Sequence, residues 1–187
     1  MKIFLICLLL TLLNACSSFK KAGAVYQTRF DFSQVENYSL YQRNADNIVW
    51  QSISDATRNR IEIAIEKSMN KQGFSYSELD NADVIVSYHL ISKTAENLSQ
   101  YNKTVRYCTY CLIASTWQSE SKNWKVTAGN LIIDLIDVKT KRSVWRSVYP
   151  LDINSRDNAL QTNNKITATI SLMLALYPKA ESLKPKP

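Results

Sequence analysis

Apolar positions change their spacing several times along the chain, and each change marks an element. From Tyr26 the period is two: Tyr26, Thr28, Phe30 and Phe32 share one side, and Gln27, Arg29 and Asp31 the other. That alternation predicts a strand, and a second short strand is predicted over Tyr38 to Gln42. The period then lengthens over roughly Ser52 to Gln72, where Ile61, Ala64, Ile65, Ser68 and Met69 form one stripe of a helix. Arg58 and Glu62, four apart, are expected together on its exposed side. Ser54 or Asp55 can cap its first-turn amides, and Gly73 suits the left-handed position beyond its last turn. Period two returns at Asp83 to Ile91 with apolar residues on both sides, which predicts a strand inside the sheet rather than at its edge. Residues 92–128 are polar, aromatic and irregular. Asn130 to Val138 and Ser143 to Tyr149 follow as two strands whose short polar link permits only an antiparallel hairpin. A last helix from Ala159 or Thr162 to Tyr177 carries Ile166, Ile170, Met173, Leu174 and Tyr177 on one face and stops at Pro178. The predicted fold is α+β: a mostly antiparallel sheet of about five strands with two helices packed on one face. One domain over residues 25–178 holds all of it, with an aromatic insert at 92–128 and a flexible tail at 179–187.

Ahead of this domain the pattern differs. Met1 and Lys2 precede an apolar run from Ile3 to Leu10 that continues through Leu12 and Leu13. A bilayer span takes about 20 apolar residues, so this shorter run, ending in small residues, reads as an export signal over residues 1–15. Leu13, Asn14, Ala15 and Cys16 resemble the lipobox of bacterial lipoproteins, with cleavage between Ala15 and Cys16; Asn14 is the least typical of the four. The expected product carries an S-diacylglyceryl and an N-acyl group on Cys16. Two or three chains, at about 0.8 kcal/mol per buried methylene, anchor a protein where one does not. Residues 16–24 would then be a small, polar tether. An ordinary secretory signal with an incidental Cys16 is the competing reading, and the polar pair Ser17 and Ser18 directly after the cysteine favours lipidation. Ser17, rather than an aspartate, points to the outer membrane, with the periplasm as the default compartment.

Composition changes the picture little. Of 187 residues, 45% are apolar and 21% charged, ordinary values for a globular domain. The formal charge of +7, one unit of which leaves with Lys2, is spread along the sequence. It reads first as a solvated surface and second as an affinity for anionic headgroups or phosphates; no nucleic-acid partner is expected.

Candidate chemistry is sparse. Cys108 and Cys111 form a Cys-Thr-Tyr-Cys motif, which reads either as a small structural disulfide or as an exchange-active pair. Zinc needs four ligands, and once Cys7 leaves with the signal and Cys16 is acylated, two thiols and one histidine remain, so neither metal nor other cofactor is expected. Asp134 and Asp137 are an odd number apart on a strand and face opposite ways, so Asp137 is expected to accept turn amides rather than pair with Asp134. His89 could act as acid or base, but no nucleophile accompanies it. With three glycines, a phosphate loop is hard to build. The insert carries Tyr101, Tyr107, Tyr110, Trp117 and Trp124 among cations that include Arg106. These residues suit a ligand or partner surface; the simpler reading is that the rings cover the sheet face left free by the helices.

Several short motifs then fall in one order. Asp31, Phe32 and Ser33 lead to Tyr38 and Tyr41; Gly73 and Phe74 end the helix; Ala82 and Asp83 open the strand with Tyr88. Gly129, Leu131, Asp134 and Asp137 precede Val144, Trp145 and Arg146, and Tyr177 and Pro178 close the last helix. Together these resemble the bacterial lipoprotein family known as domain of unknown function 4136, from about residue 25 to 178. The resemblance implies an envelope lipoprotein with a compact α+β domain and carries over no catalytic residue. The expected function is a non-enzymatic binding or scaffolding module for an envelope protein or an amphiphilic ligand. Its competitor is an envelope thiol-disulfide exchanger using Cys108 and Cys111.

Overall fold

The computed structural model describes residues 23–41, 53–91, 95–108, 111, 113–114 and 129–178. The expected signal (1–15), Cys16, the tether up to residue 22, the tail at 179–187, and Tyr110, Trp117 and Trp124 lie outside the described residues.

Seven strands and three helices make up the described fold, which is α+β with a mixed sheet. In chain order they are β1 (Gly23–Tyr26), β2 (Asn37–Leu40), α1 (Asp55–Lys71), β3 (Ser75–Tyr76), β4 (Val84–Leu90), α2 (Ala95–Thr104), β5 (Ile113–Ala114), β6 (Asn130–Asp137), β7 (Arg142–Pro150) and α3 (Ala159–Leu174). Across the sheet the order is β3-β2-β4-β6-β7-β1-β5. β4, β6, β7 and β1 pair antiparallel, as the short hairpin link requires. β2 runs parallel to both β3 and β4, because α1 lies between β2 and those strands in the chain and returns it to the same end of the sheet. The expectation of five mostly antiparallel strands therefore undercounts the sheet and misses its parallel edge.

The local signals explain the elements. Ser54 caps α1 by accepting the Thr57 amide, and Gly73 takes the left-handed conformation (φ 94°) after its last turn. Asn158 and Gln161 cap α3 reciprocally, each side chain accepting the other's backbone amide. Arg58, expected on the exposed side of α1, is instead buried, 3.8 Å from Asp55. β1 is also shorter and earlier than the alternation suggests: it begins at Gly23, inside the expected tether, and ends at Tyr26. Phe30 bonds back to the Gln27 carbonyl and Asp31 caps a 3-10 turn over Phe32–Gln34, so Phe32 reaches the core from a turn.

α1 and α3 pack on one face of the sheet, as predicted. Ile61 and Ile65 of α1 and Ile166 and Ile170 of α3 meet Leu131, Ile133 and Leu135 of β6, with Trp145 fully enclosed among them. The Tyr177 hydroxyl donates to the Phe32 carbonyl at 2.6 Å and closes this core at one end.

The other face is where the structure departs from expectation. The insert is not irregular throughout: its residues 95–104 form α2, a third helix lying against the opposite face of the sheet. Tyr101 of α2 and Val105 just beyond it pack on Ile85, Ile91, Ile132, Ile136 and Val148. The reason is physical. β4 and β6 present apolar side chains both ways, and a sheet face of that character needs a cover.

The capping pair gives a direct check. Replacing Asn158 with Ala removes the acceptor for the Gln161 amide and is expected to destabilise the protein by about 1 kcal/mol. Urea unfolding of the two proteins measures it, and equal midpoints would mean that the cap contributes nothing.

Candidate functional site

Under α2 the apolar packing is interrupted by a polar cluster. Asp134 of β6 and Arg146 of β7 are direct cross-strand partners, and they are 0% and 2% exposed. Arg146 donates from Nε to Asp134 Oδ1 at 2.9 Å and from Nη2 to Oδ2 at 2.9 Å. This is the two-pronged geometry that makes arginine–carboxylate pairs strong and directional. Tyr101 donates its hydroxyl to Oδ2 at 2.7 Å, and the Ser143 hydroxyl donates to Oδ1. The carboxylate thus has four donors, and no lone-pair direction is left without one.

The backbone makes this set possible. The β6–β7 register shifts between Leu135 and Ile136, leaving Val144 as an extra residue in β7. Three positions apart on a regular strand, Ser143 and Arg146 would point to opposite faces; the bulge turns both toward Asp134. On the other side of the guanidinium, Nη1 donates to Asn102 Oδ1 at 2.7 Å, and the Tyr107 ring lies 3.5 Å from Cζ. α2 and the residues after it therefore hold one half of the pair's environment, and the hairpin holds the other.

His89 of β4 belongs to the same layer. It is 1% exposed and its ring stacks on Tyr101, with centroids 4.6 Å apart. Neither ring nitrogen has a hydrogen-bond partner among the described residues. Burial pushes its pKa down from 6.5 to about 4; the nearby Arg146 charge adds to this, and Asp134 partly offsets it. The imidazole is neutral at pH 7, enclosed, and without a nucleophile to serve. Burial and then the Asp134 charge raise the Tyr101 pKa well above 10, so this phenol stays protonated and donates.

The other predicted candidates separate. Tyr101 is a buried member of this cluster rather than part of an exposed surface, and Tyr107 is half-buried over Arg146. Arg106 is exposed. Cys108 and Cys111 are joined by a disulfide. They follow the carboxyl end of α2, whereas helix-activated thiols sit at the amino end, where the dipole lowers a thiol pKa. Asp137 behaves as predicted: it accepts the amides of Lys139 and Thr140 and the Thr140 hydroxyl, and it does not share a site with Asp134. No group of three or more metal-ligating side chains occurs among the described residues, and no described helix is long and apolar enough to cross a membrane.

The sequence profile of the family described as "Domain of unknown function (DUF4136)" matches residues 24–179. The chain belongs to the DUF4136 family. A crystal structure of a DUF4136 family protein from Bacteroides thetaiotaomicron is similar to it, with a TM-score of 0.53 and 13% identity over 86% of this chain and 98% of that one. A PDZ domain protein from Parabacteroides distasonis matches with a TM-score of 0.50 and 15% identity, over 86% of this chain and 36% of that one. At these identities the likeness is one of fold alone. No curated protein sequence matches the chain.

The cluster of this DUF4136 domain supports two predictions. Truncating one partner, Asp134→Ala, leaves a buried, uncompensated guanidinium and is expected to cost about 3–5 kcal/mol. The double change Asp134→Leu with Arg146→Met is expected to recover most of that loss, since an apolar pair needs no desolvation. Denaturant titration of both variants decides; a silent Asp134→Ala would mean the pair is hydrated.

The second prediction concerns pH. The unfolded imidazole binds a proton below about pH 6.5, while folded His89 resists doing so until about pH 4. The stability associated with neutral His89 is therefore complete above pH 6.5 and falls as pH drops toward 4. The expected loss is about 2 kcal/mol between pH 7 and pH 5. His89→Phe keeps the ring stack and removes the titration. Urea midpoints at the two pH values should differ less in this variant, and an unchanged difference would exonerate His89.

Proposed function

We propose that this DUF4136 protein is an envelope lipoprotein, anchored through Cys16 to the outer membrane and facing the periplasm. In this reading its domain binds an envelope protein or an amphiphilic ligand without catalysing a reaction. One observation carries the non-catalytic part. The polar residues gathered in one described cluster, Asp134, Arg146, Tyr101 and His89, are buried against one another under α2. Catalysis needs such groups presented to a substrate, with bonding capacity to spare in the transition state. Here Asp134 has none to spare.

The anchor rests on the sequence from Lys2 to Cys16 and on the short polar stretch after it. Residues 16–22 span at most about 25 Å when extended, which would hold the domain close to the membrane at the Gly23 end of β1. The rival thiol-exchange reading has no observation in its favour, since the bonded pair lies at the wrong end of its helix.

Two measurements test the reading. Metabolic labelling with an alkyne-bearing fatty acid is expected to mark the wild-type chain in the outer-membrane fraction; Cys16→Ala is expected to lose both label and membrane association. Crosslinking in intact cells is expected to capture a defined partner or amphiphile. A labelled Cys16→Ala chain would refute the anchor, and an empty capture with several crosslinkers would refute the binding role.

A further inference from the structure

Beside the buried cluster, on the solvent side of Tyr107, lies an open cleft of about 590 Å³. Lys103 at the end of α2, Arg106 in the turn after it, and Arg142 at the start of β7 line it, and among the described residues no carboxylate does. All three are exposed. Ser99, Asn102 and Tyr107 supply its neutral polar groups.

The walls are fixed to each other. Ser143 donates its amide to the Val105 carbonyl at 2.9 Å, tying the strand that carries Arg142 to the turn that carries Arg106. Arg106 has φ 47°, a left-handed conformation that a non-glycine side chain adopts at a cost, and its Nη1 reaches the Thr140 carbonyl at 3.5 Å. Asn102 and Tyr107 are immobilised from behind, through Arg146.

Lys103 and Arg106 have a structural explanation, since cations at the carboxyl end of a helix oppose its partial negative charge. Arg142 has none of that kind: it comes from another element, and like-charge repulsion opposes its place in the group. Its usual balance would be an acidic neighbour, and no acidic residue lines the cleft among the described residues.

We infer that the cleft between α2 and the start of β7 is a binding site for a phosphate group, held by Arg106, Arg142 and Lys103. Three positive charges exceed what a single carboxylate balances. A phosphate, with a charge near −2 and three acceptor oxygens, matches two guanidinium forks and an ammonium. The inference rests on the binding role proposed above and names the ligand chemistry for it. The cleft also lies about 20 Å along β7 from the point where β1 enters at Gly23, opposite Val148. It therefore lies at the far end of β7 from the proposed anchor.

The test is a titration of the full mature chain in neutral detergent with sodium pyrophosphate at constant ionic strength, read by backbone amide NMR. Saturable shifts confined to Asn102, Lys103, Arg106, Tyr107 and Arg142 are expected, with affinity at least tenfold lower in Arg106→Gln/Arg142→Gln. Lys103→Gln/Arg142→Gln, which keeps the strained Arg106, is expected to show the same loss if the first variant folds poorly. Shifts that never saturate, shifts spread over all lysines, or a folded double variant that binds like wild type would overturn the site.

Sedimentation of the unlipidated Cys16→Ala chain with phosphatidylglycerol vesicles, against phosphatidylcholine vesicles, separates the sources. Association that depends on the two arginines identifies a lipid headgroup; pyrophosphate saturation without it identifies a soluble phosphate compound. Both outcomes support the site. A partner crosslinked equally well by the double-arginine variant, with no pyrophosphate binding in wild type, ends this inference and leaves the binding role standing. Saturable pyrophosphate binding with an empty capture does the reverse.

Discussion

Two full charges sit between the central hairpin and a ten-residue helix, and their burial constrains what surrounds them. A buried carboxylate and guanidinium are tolerated only with near-complete hydrogen bonding. Asp134 therefore requires Arg146 directly opposite, which sets the β6–β7 register. It also has Ser143 on the same face, which needs the Val144 bulge, and Tyr101 above, which needs α2 docked at one rotation and depth. Arg146 adds Asn102 and the Tyr107 ring to the demand. An apolar pair would fit the same volume without specifying any of this. What the ion pair supplies is a unique arrangement of the hairpin and its cover rather than extra stability.

The residues on which the family likeness rests have structural tasks of this kind. Asp83 accepts the amides of Glu36 and Asn37, fastening the start of β4 to the start of β2. Asp31 caps the turn that delivers Phe32 to the core, and the Tyr177 hydroxyl holds that turn from the far side. Gly73 reverses the chain after α1, and Asp137 folds the hairpin turn. These motifs build the scaffold and leave α2, the disulfide and Arg106 of the insert outside it.

Legibility in the sequence followed the strength of the local signal. The helices with caps and long apolar stripes, the hairpin and the two-sided strand β4 could be read from spacing, as could Gly73 and Asp137. The Tyr26 to Phe32 alternation misled, because a 3-10 turn also carries Phe32 inward. α2 was missed because its large apolar markers are few in a polar segment, Leu98 and Tyr101 with Val105 just beyond, though these are spaced three and four apart as on one helix face. The need for a cover over Ile85, Ile132 and Ile136 was the better clue. The charge pair was only half visible: both residues interrupt strands, but Asp134 lies three residues before Asp137 and Arg146 four after its partner Arg142, so the bulge is what brings them opposite each other. Reading Asp134 with its neighbour Asp137 drew attention away from Arg146. The bulge, and with it the part played by Ser143, has no sequence marker.

The placement of α2 also has a kinetic consequence. Most of its sheet-facing contacts are with strands, so it can dock only after β4, β6 and β7 have paired, and it can lift away without disturbing the core under α1 and α3. Lifting it rehydrates Asp134, Arg146 and His89 together and removes their desolvation penalty, which lowers the free energy of that opening below that of global unfolding. The sheet thus divides two interiors of unequal kind: an apolar one closed by two long helices, and a charged one closed by a single short helix.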